Sequence, residues 1–282
     1  MRRIEDWRIR LFSDGADLTS ILEMAAKPWI QGFTTNPTLM RKAGVRDYEA
    51  FARDLLALVP DRPISLEVFA EDEAEMERQA MTLATWGANV NVKIPVTSRA
   101  GVFLGPLIHR LANAGVALNV TAILTLEQVE RVAEALPPQA WAIVSVFAGR
   151  IADTGIDPLP LMAWAKVLLR QRPQVQLLWA SPRQVLNIFQ AEQAGCDIIT
   201  LPPEILRKLD LVGKDLAAYS LETVDMFHRD ALAAAYTIDT SLLPKPPVAD
   251  RSAAEDDLRS LGQVARQDVG ARIVDRQLRP GA

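Results

Sequence analysis

Lys93 sits in the run NVKIPVT, Glu67 in ISLEV, and Asn119 with Thr121 in LNVTAIL. Ser145 and Phe147 share SVFAGR, Asn36 ends GFTTN, and Asp14 lies in FSDG. Each run is short and apolar or β-branched, so alternate side chains point to opposite faces of a strand. Val90, Val92 and Ile94 then oppose Asn91 and Lys93, and Val116, Leu118 and Val120 oppose Asn119 and Thr121. In the same way Leu66 and Val68 oppose Ser65 and Glu67, and Val144 and Val146 oppose Ser145 and Phe147. One lysine with two carboxylates on the polar faces defines a chemistry. A lysine amine withdrawn from water attacks a carbonyl in its neutral form and gives a Schiff base. Dehydration of the carbinolamine and C–C cleavage both need proton transfers, which Asp14 and Glu67 can supply. Arg150 follows the sixth such run and Arg183 opens the helical pattern after the seventh; two arginines near a helix start suit a phosphate. This set requires no metal and no redox cofactor.

The elements that must position these residues alternate regularly. Strands are predicted at 8–14, 30–35, 63–69, 88–94, 116–121, 141–147, 175–180 and 197–201, with helical patterns between them. The sequence predicts that Pro182 lies in the first turn of a helix running to Ala194, stopped by Gly195. Eight βα units within about 210 residues fit an α/β fold of the closed (β/α)8 TIM-barrel type better than an open doubly wound sheet. The GxGxxG dinucleotide signal follows none of the strands. A last amphipathic helix is predicted over Leu221 to Ala235 behind an N-cap at Ser220, which places the barrel domain at 1–239. Residues 240–282 read as a proline-rich linker, TSLLPKPPVAD, and a short helical tail. In that tail Ser252 and Glu255 have capping-box spacing, and Leu258, Leu261 and Val264 share one face.

Composition removes several classes of function. The net charge of −4 gives no long-range attraction to nucleic acid. Cys196 is the only cysteine, so an internal disulfide and a cysteine-rich metal site are both excluded. His109 and His228 fall in helical patterns, without HExxH spacing. No apolar run approaches the ~20 residues of a membrane helix. The basic start MRRIEDWRIR lacks a signal-peptide core, so a cytoplasmic protein is expected. Gly213-Lys214 lacks the upstream glycine of a P-loop.

Each residue also has a plainer role open to it. Lys93 could hold the barrel in an ion pair, Asp14 could make an Asx turn, Thr34 and Thr35 could serve β propensity, and Arg183 could be a surface charge. Barrel interiors are normally filled by branched apolar side chains, and catalytic groups collect at the C-terminal face. Burying so many polar groups without partners would cost several kcal/mol. The set as a whole therefore favours a site.

These residues carry a resemblance. FSDGAD (12–17), GFTTNPTLM (32–40), ISLEV (64–68), NVKIPVT (91–97), LNVTAILTLEQ (118–128), SVFAGRIAD (145–153), LLWASPR (177–183) and AGCDIITLP (194–202) resemble, in order, the motifs of the transaldolase family and its small aldolase branch. The resemblance spans about residues 8–205 and implies a class I Schiff-base enzyme on a (β/α)8 barrel. It implies that Lys93 binds the donor carbonyl, that Asp14 is the acid/base, and that Glu67 and Thr121 position the catalytic water. Asn36 and Asn119 match asparagines that bind substrate hydroxyls, and Ser145, Phe147, Arg150 and Arg183 match the lining of the substrate and phosphate pocket. The implied reaction moves a dihydroxyacetone unit between sugar phosphates, of the type sedoheptulose 7-phosphate with glyceraldehyde 3-phosphate giving erythrose 4-phosphate and fructose 6-phosphate.

Glu67 and Phe147 match the transferase pattern, where the aldolase branch has Gln and Tyr. The alternatives are an aldolase that releases free dihydroxyacetone or takes an unusual ketose, and a non-catalytic sugar-phosphate-binding barrel. The sequence departs from the family at SDGAD, at Ser98-Arg99-Ala100, and at Trp179 and Pro182. By period two Trp179 is expected on the inward face with Ser181, narrowing the pocket near Arg183. The apolar stripe of the tail leads us to expect a homo-oligomer.

Overall fold

A computed structural model describes residues 6–242. Among these, eight parallel strands close into a barrel in sequence order. They are β1 (Arg10–Asp14), β2 (Ile30–Thr34), β3 (Ile64–Glu67), β4 (Val90–Pro95), β5 (Leu118–Ile123), β6 (Ala142–Val146), β7 (Val175–Trp179) and β8 (Ile198–Leu201). Pairing of β1 with β8, from Arg10 opposite Ile198 to Ser13 opposite Leu201, closes the ring. The architecture is the (β/α)8 barrel that the alternation predicts.

Seven of the α-helices among the described residues begin behind a side-chain cap, whereas those at Gly105–Asn113, Ala148–Asp153, Leu186–Gln193 and Pro203–Leu206 have none. α1 (Leu18–Ala25) starts after Asp17, whose carboxylate accepts from the Ser20 N–H at 2.8 Å. Asp47 and Asp72 cap α3 (Tyr48–Leu58) and α4 (Glu73–Ala84) in the same way. Thr125 and Gln128 form a reciprocal capping box at α6 (Leu126–Ala135). α5 (Gly105–Asn113) has Pro106 in its first turn and follows a β-bridge between Thr97 and Phe103. α8 (Pro158–Leu168) follows Asp157. Two six-residue helices, α2 (Pro37–Lys42) and α7 (Ala148–Asp153), are too short to show a hydrophobic period and escape the sequence reading.

Two starts differ from expectation. α9 spans Leu186–Gln193, so Pro182 and Arg183 lie in the loop before it and Arg183 does not open the helix. The reason is local: Ser181 adopts φ +62°, and the Asn187 Oδ1 accepts from the Arg183 and Gln184 N–H groups, holding them outside the helical ladder. α10 (Pro203–Leu206) follows β8. α11 spans Leu216–Ala233 with Asp215 as its cap, so the cap expected at Ser220 falls inside the helix.

The chain divides into two compact units, 1–214 and 215–282, and α11 falls in the second. The tail helix expected behind Ser252, with Leu258, Leu261 and Val264, lies outside the described residues, as does most of the proline-rich run. Among the described residues no helix is long and apolar enough to cross a membrane.

The barrel has two apolar layers. Outward side chains such as Val92, Leu118, Val144 and Leu177 are fully buried against the helices. Inside, Phe12, Ile143, Leu178, Ala180 and Ile198 make a separate floor. Gly32 is required there: a Cβ on it would stand 2.5 Å from the Phe12 ring. Above this floor the interior turns polar.

Candidate functional site

Strand register sets the site. Glu67 pairs with Lys93, Lys93 with Asn119, Pro95 with Thr121, and Asp14 with Thr34. Inward side chains from neighbouring strands therefore converge at the C-terminal ends of the strands, the face on which barrel enzymes carry their active sites. All ten residues singled out in the sequence (Lys93, Asp14, Glu67, Thr121, Asn36, Asn119, Ser145, Phe147, Arg150 and Arg183) line one cavity of about 560 Å³.

The centre of the cavity is the lysine with its acid. Lys93 Nζ lies 3.8 Å from Glu67 Oε2 and donates to the Thr35 carbonyl. Thr35 Oγ1 stands 3.0 Å from the same Glu67 oxygen. Glu67 Oε1 is buried with no hydrogen-bond partner among the described residues. Burial pushes the Glu67 carboxyl above its ordinary range, and the charge of Lys93 and the Thr35 hydroxyl partly offset this.

Asp14 behaves alike. Burial raises its carboxyl, against the opposing pull of Lys93, and Thr34 Oγ1 donates to its Oδ1 at 2.7 Å. Thr34 Oγ1 also lies 2.6 Å from Thr200 Oγ1. While Asp14 is ionised, the single Thr34 proton goes to it and Thr200 donates to Thr34. Both carboxyls are thus raised above their ordinary values, the direction that favours holding a proton.

The far wall is a polar ladder. Asn119 Nδ2 donates to Ser65 Oγ at 3.0 Å, and Ser145 Oγ donates to Asn119 Oδ1 at 2.7 Å. Asn36 caps α2, its Oδ1 accepting from the Leu39 N–H at 3.0 Å, and its amide also holds Asp14.

The arginines form one corner of the mouth. Arg150 lies on α7 with its guanidinium 5.4 Å from the Phe147 ring centre. Arg183 makes a two-pronged pair with Asp153, its Nε 2.9 Å from Oδ1. That pair holds the Asp153 carboxyl below its usual range. Gly149 makes the corner possible, because a Cβ there would lie 1.5 Å from the Ser181 carbonyl oxygen. Only a glycine lets α7 approach the loop that carries Arg183.

Trp179 corrects the sequence reading. It is fully buried in the outer core, and Leu178 and Ala180 point inward in its place. The one polar residue of β7, Gln176, has the parity of Leu178 and Ala180, but the sequence reading took its parity from Ser181, beyond the strand; Ser181 reaches the cavity because the chain turns at its positive φ. The residues that sequence reasoning passed over are Thr34, Thr35, Thr200 and Glu204. Thr34 and Thr35 were visible as the doublet before Asn36-Pro37, but β propensity explained them equally well; nothing distinguished Thr200 or Glu204. Among the described residues no group of three or more His, Cys, Asp or Glu side chains is placed to hold a metal ion.

The fold and the mouth together define a (β/α)8 barrel with a lysine-centred polar cavity at its C-terminal face. The family profile described as Transaldolase/Fructose-6-phosphate aldolase matches residues 11–241, and the chain belongs to that family. It is 35% identical over 202 residues to a probable transaldolase of Dehalococcoides mccartyi, covering 71% of this chain and 90% of the relative. It is 33% identical over 202 residues to probable transaldolase 2 of Listeria monocytogenes, covering 71% and 88%. Among solved structures, a 2,3-dimethylmalate lyase of the PEP mutase/isocitrate lyase superfamily aligns with TM-score 0.51 at 13% identity, over 93% of this chain and 96% of that one. That likeness speaks to the barrel alone.

Proposed function

We propose that this chain is a transaldolase acting through a Schiff base on Lys93. The observation that carries the reading is the Lys93 amine held inside the mouth, 3.8 Å from Glu67, with a second, half-buried acid, Asp14, in the same cavity.

Lys93 Nζ attacks the ketone carbonyl of a ketose phosphate, and the carbinolamine loses water with a proton supplied from Glu67, directly or through the water that Glu67 and Thr121 hold. The resulting iminium is the electron sink. Asp14 takes the proton of the β-hydroxyl, the C–C bond breaks, and its electrons flow into the iminium to give an enamine and a free aldehyde. An acceptor aldehyde then reverses the sequence: the C–C bond reforms and Asp14 returns its proton to the new alkoxide. Water activated by Glu67 finally hydrolyses the imine. Asn36, Asn119 and Ser145 offer hydrogen bonds to the sugar hydroxyls, and Arg150 and Arg183 draw the phosphate to their corner. The Phe147 ring carries no hydroxyl to protonate the enamine, so the three-carbon unit waits for an acceptor. The substrates this suits are sedoheptulose 7-phosphate with glyceraldehyde 3-phosphate, exchanging with erythrose 4-phosphate and fructose 6-phosphate.

The test is intact-protein mass spectrometry after borohydride reduction with a panel of ketose phosphates, on the wild type and Lys93→Met. The expected result is a mass increase of one reduced three-carbon unit, absent in the variant. No adduct with any donor would overturn the reading.

A further inference from the structure

We propose that Thr35 is a positioning residue that holds Glu67 and Lys93 in register whether Glu67 is protonated or ionised. The inference rests on the reading that Glu67 exchanges protons in the mouth.

Thr35 follows β2 and is completely buried. Its carbonyl oxygen accepts from Lys93 Nζ, which fixes the amine from below. Its hydroxyl stands between two acceptors at nearly equal distance, the Ser65 carbonyl at 2.9 Å and Glu67 Oε2 at 3.0 Å. A hydroxyl has one proton to give and lone pairs to receive another. When Glu67 is ionised, the proton turns to Oε2 and stabilises the charge. When Glu67 is protonated, the carboxylic acid can donate to Oγ1 and the Thr35 proton turns to the Ser65 carbonyl. Both arrangements keep Glu67 Oε2 and Thr35 Oγ1 hydrogen-bonded without moving a heavy atom. An acid/base group must visit both states in each cycle, and a partner that served only one would oppose the other by the penalty of an unmade buried hydrogen bond. The charged and titratable groups facing Glu67 are Lys93 from β4, Asp14 from β1, and Tyr48 from α3, whose hydroxyl donates to the Glu67 carbonyl at 3.0 Å. Thr35 adds to these the one contact that can reverse its direction.

A valine at this position keeps the shape and removes the hydroxyl, whereas serine keeps the hydroxyl. Thr35→Val takes a charge-assisted hydrogen bond from ionised Glu67 and only a weaker neutral one from protonated Glu67, so the carboxyl titration should move to higher pH. The direct readout is infrared titration of the protein without substrate, with the Glu67 band identified by its loss in Glu67→Gln. The expected result is an upward move of the midpoint by about one pH unit in Thr35→Val, with Thr35→Ser returning to the wild-type value. In turnover, kcat should fall about 10- to 100-fold with KM nearly unchanged, and the acid limb of the pH profile should move in the same direction. Thr35→Ala carries the same comparison if the valine variant does not fold. Coincident midpoints in wild type and the hydroxyl-free variant would overturn the proposal. Failure of the wild type to form any trapped adduct would instead overturn the Schiff-base reading, and the titration comparison would still decide the role of Thr35.

Discussion

Lys93 and Glu67 are register partners on adjacent strands, and their charged ends lie 3.8 Å apart with side-chain exposures of 11% and 7%. At that separation the charges attract, but the carboxylate does not fully engage the amine. The nearest acceptor of Lys93 is the Thr35 carbonyl, a neutral group. Such a pair is a poor source of stability, since desolvating two ions costs about as much as their attraction returns. It is well suited to chemistry, because the amine is held without being locked to its acid.

Burial of Glu67 carries a cost that pH exposes. Its carboxyl is raised in the folded protein, so the fold binds that proton more tightly than the unfolded chain does. The stability from this proton is fully present below the ordinary carboxylate range and is lost as pH rises through the raised folded value. Glu67→Gln does not titrate. The expected outcome is a melting temperature that exceeds that of the wild type by a margin growing with pH across this window, while transfer falls roughly 10²- to 10⁴-fold. Calorimetry from about pH 4 to about pH 9 measures the margin; a constant or shrinking one would contradict the assignment.

Asp14→Asn separates Schiff-base formation from cleavage. The asparagine keeps the shape beside Thr34 but cannot take the β-hydroxyl proton. Reduction should therefore trap the intact ketose phosphate on Lys93 rather than a three-carbon unit, with cleavage slowed about 10²- to 10⁴-fold. A wild-type three-carbon adduct formed at a wild-type rate would remove Asp14 from the proton path.

Phe147→Tyr tests the proposed persistence of the enamine. The ring lines the cavity beside Arg150, and a phenol there adds a proton donor. Free dihydroxyacetone released without an acceptor should rise about tenfold relative to transfer, read by coupled assays with and without acceptor aldehyde. An unchanged ratio would show that another group governs the partition.

Gly149→Ala tests the proposed phosphate corner without touching a charge. Its Cβ would meet the Ser181 carbonyl oxygen at 1.5 Å and the carbonyl carbon at 2.6 Å, both backbone atoms. The loop must move, at a cost of about 2 kcal/mol or more, which lowers the melting temperature by roughly 4–8 °C. KM for phosphorylated substrates should rise while the unphosphorylated sugars are affected less. Equal effects on both would detach this corner from phosphate binding.

The sequence by itself determined the barrel. Eight apolar strands with intervening helices leave few ways to bury both faces, and the polar parity of β3, β4, β5 and β6 identified the inward side. The same parity brought Lys93, Glu67, Asn119, Thr121 and Ser145 to one cavity, because period two and strand register are local properties of a parallel sheet. Period two does not carry past a strand's end: Trp179 of β7 was placed by the parity of Ser181, whose positive φ breaks the alternation, and so fell on the wrong side, against the parity of Gln176. What only the tertiary structure decided are contacts between segments far apart in sequence. Thr200 reaches Thr34 across 166 residues, and Thr35 reaches Lys93 across 58. Arg183 meets Asp153 across 30 residues, through a loop whose shape depends on Gly149 and a left-handed Ser181. A threonine before Asn-Pro is written identically whether it serves a strand or cradles an acid. Its role is set by what the closed ring places against its hydroxyl, and that is settled by packing across the barrel rather than by neighbours in the chain.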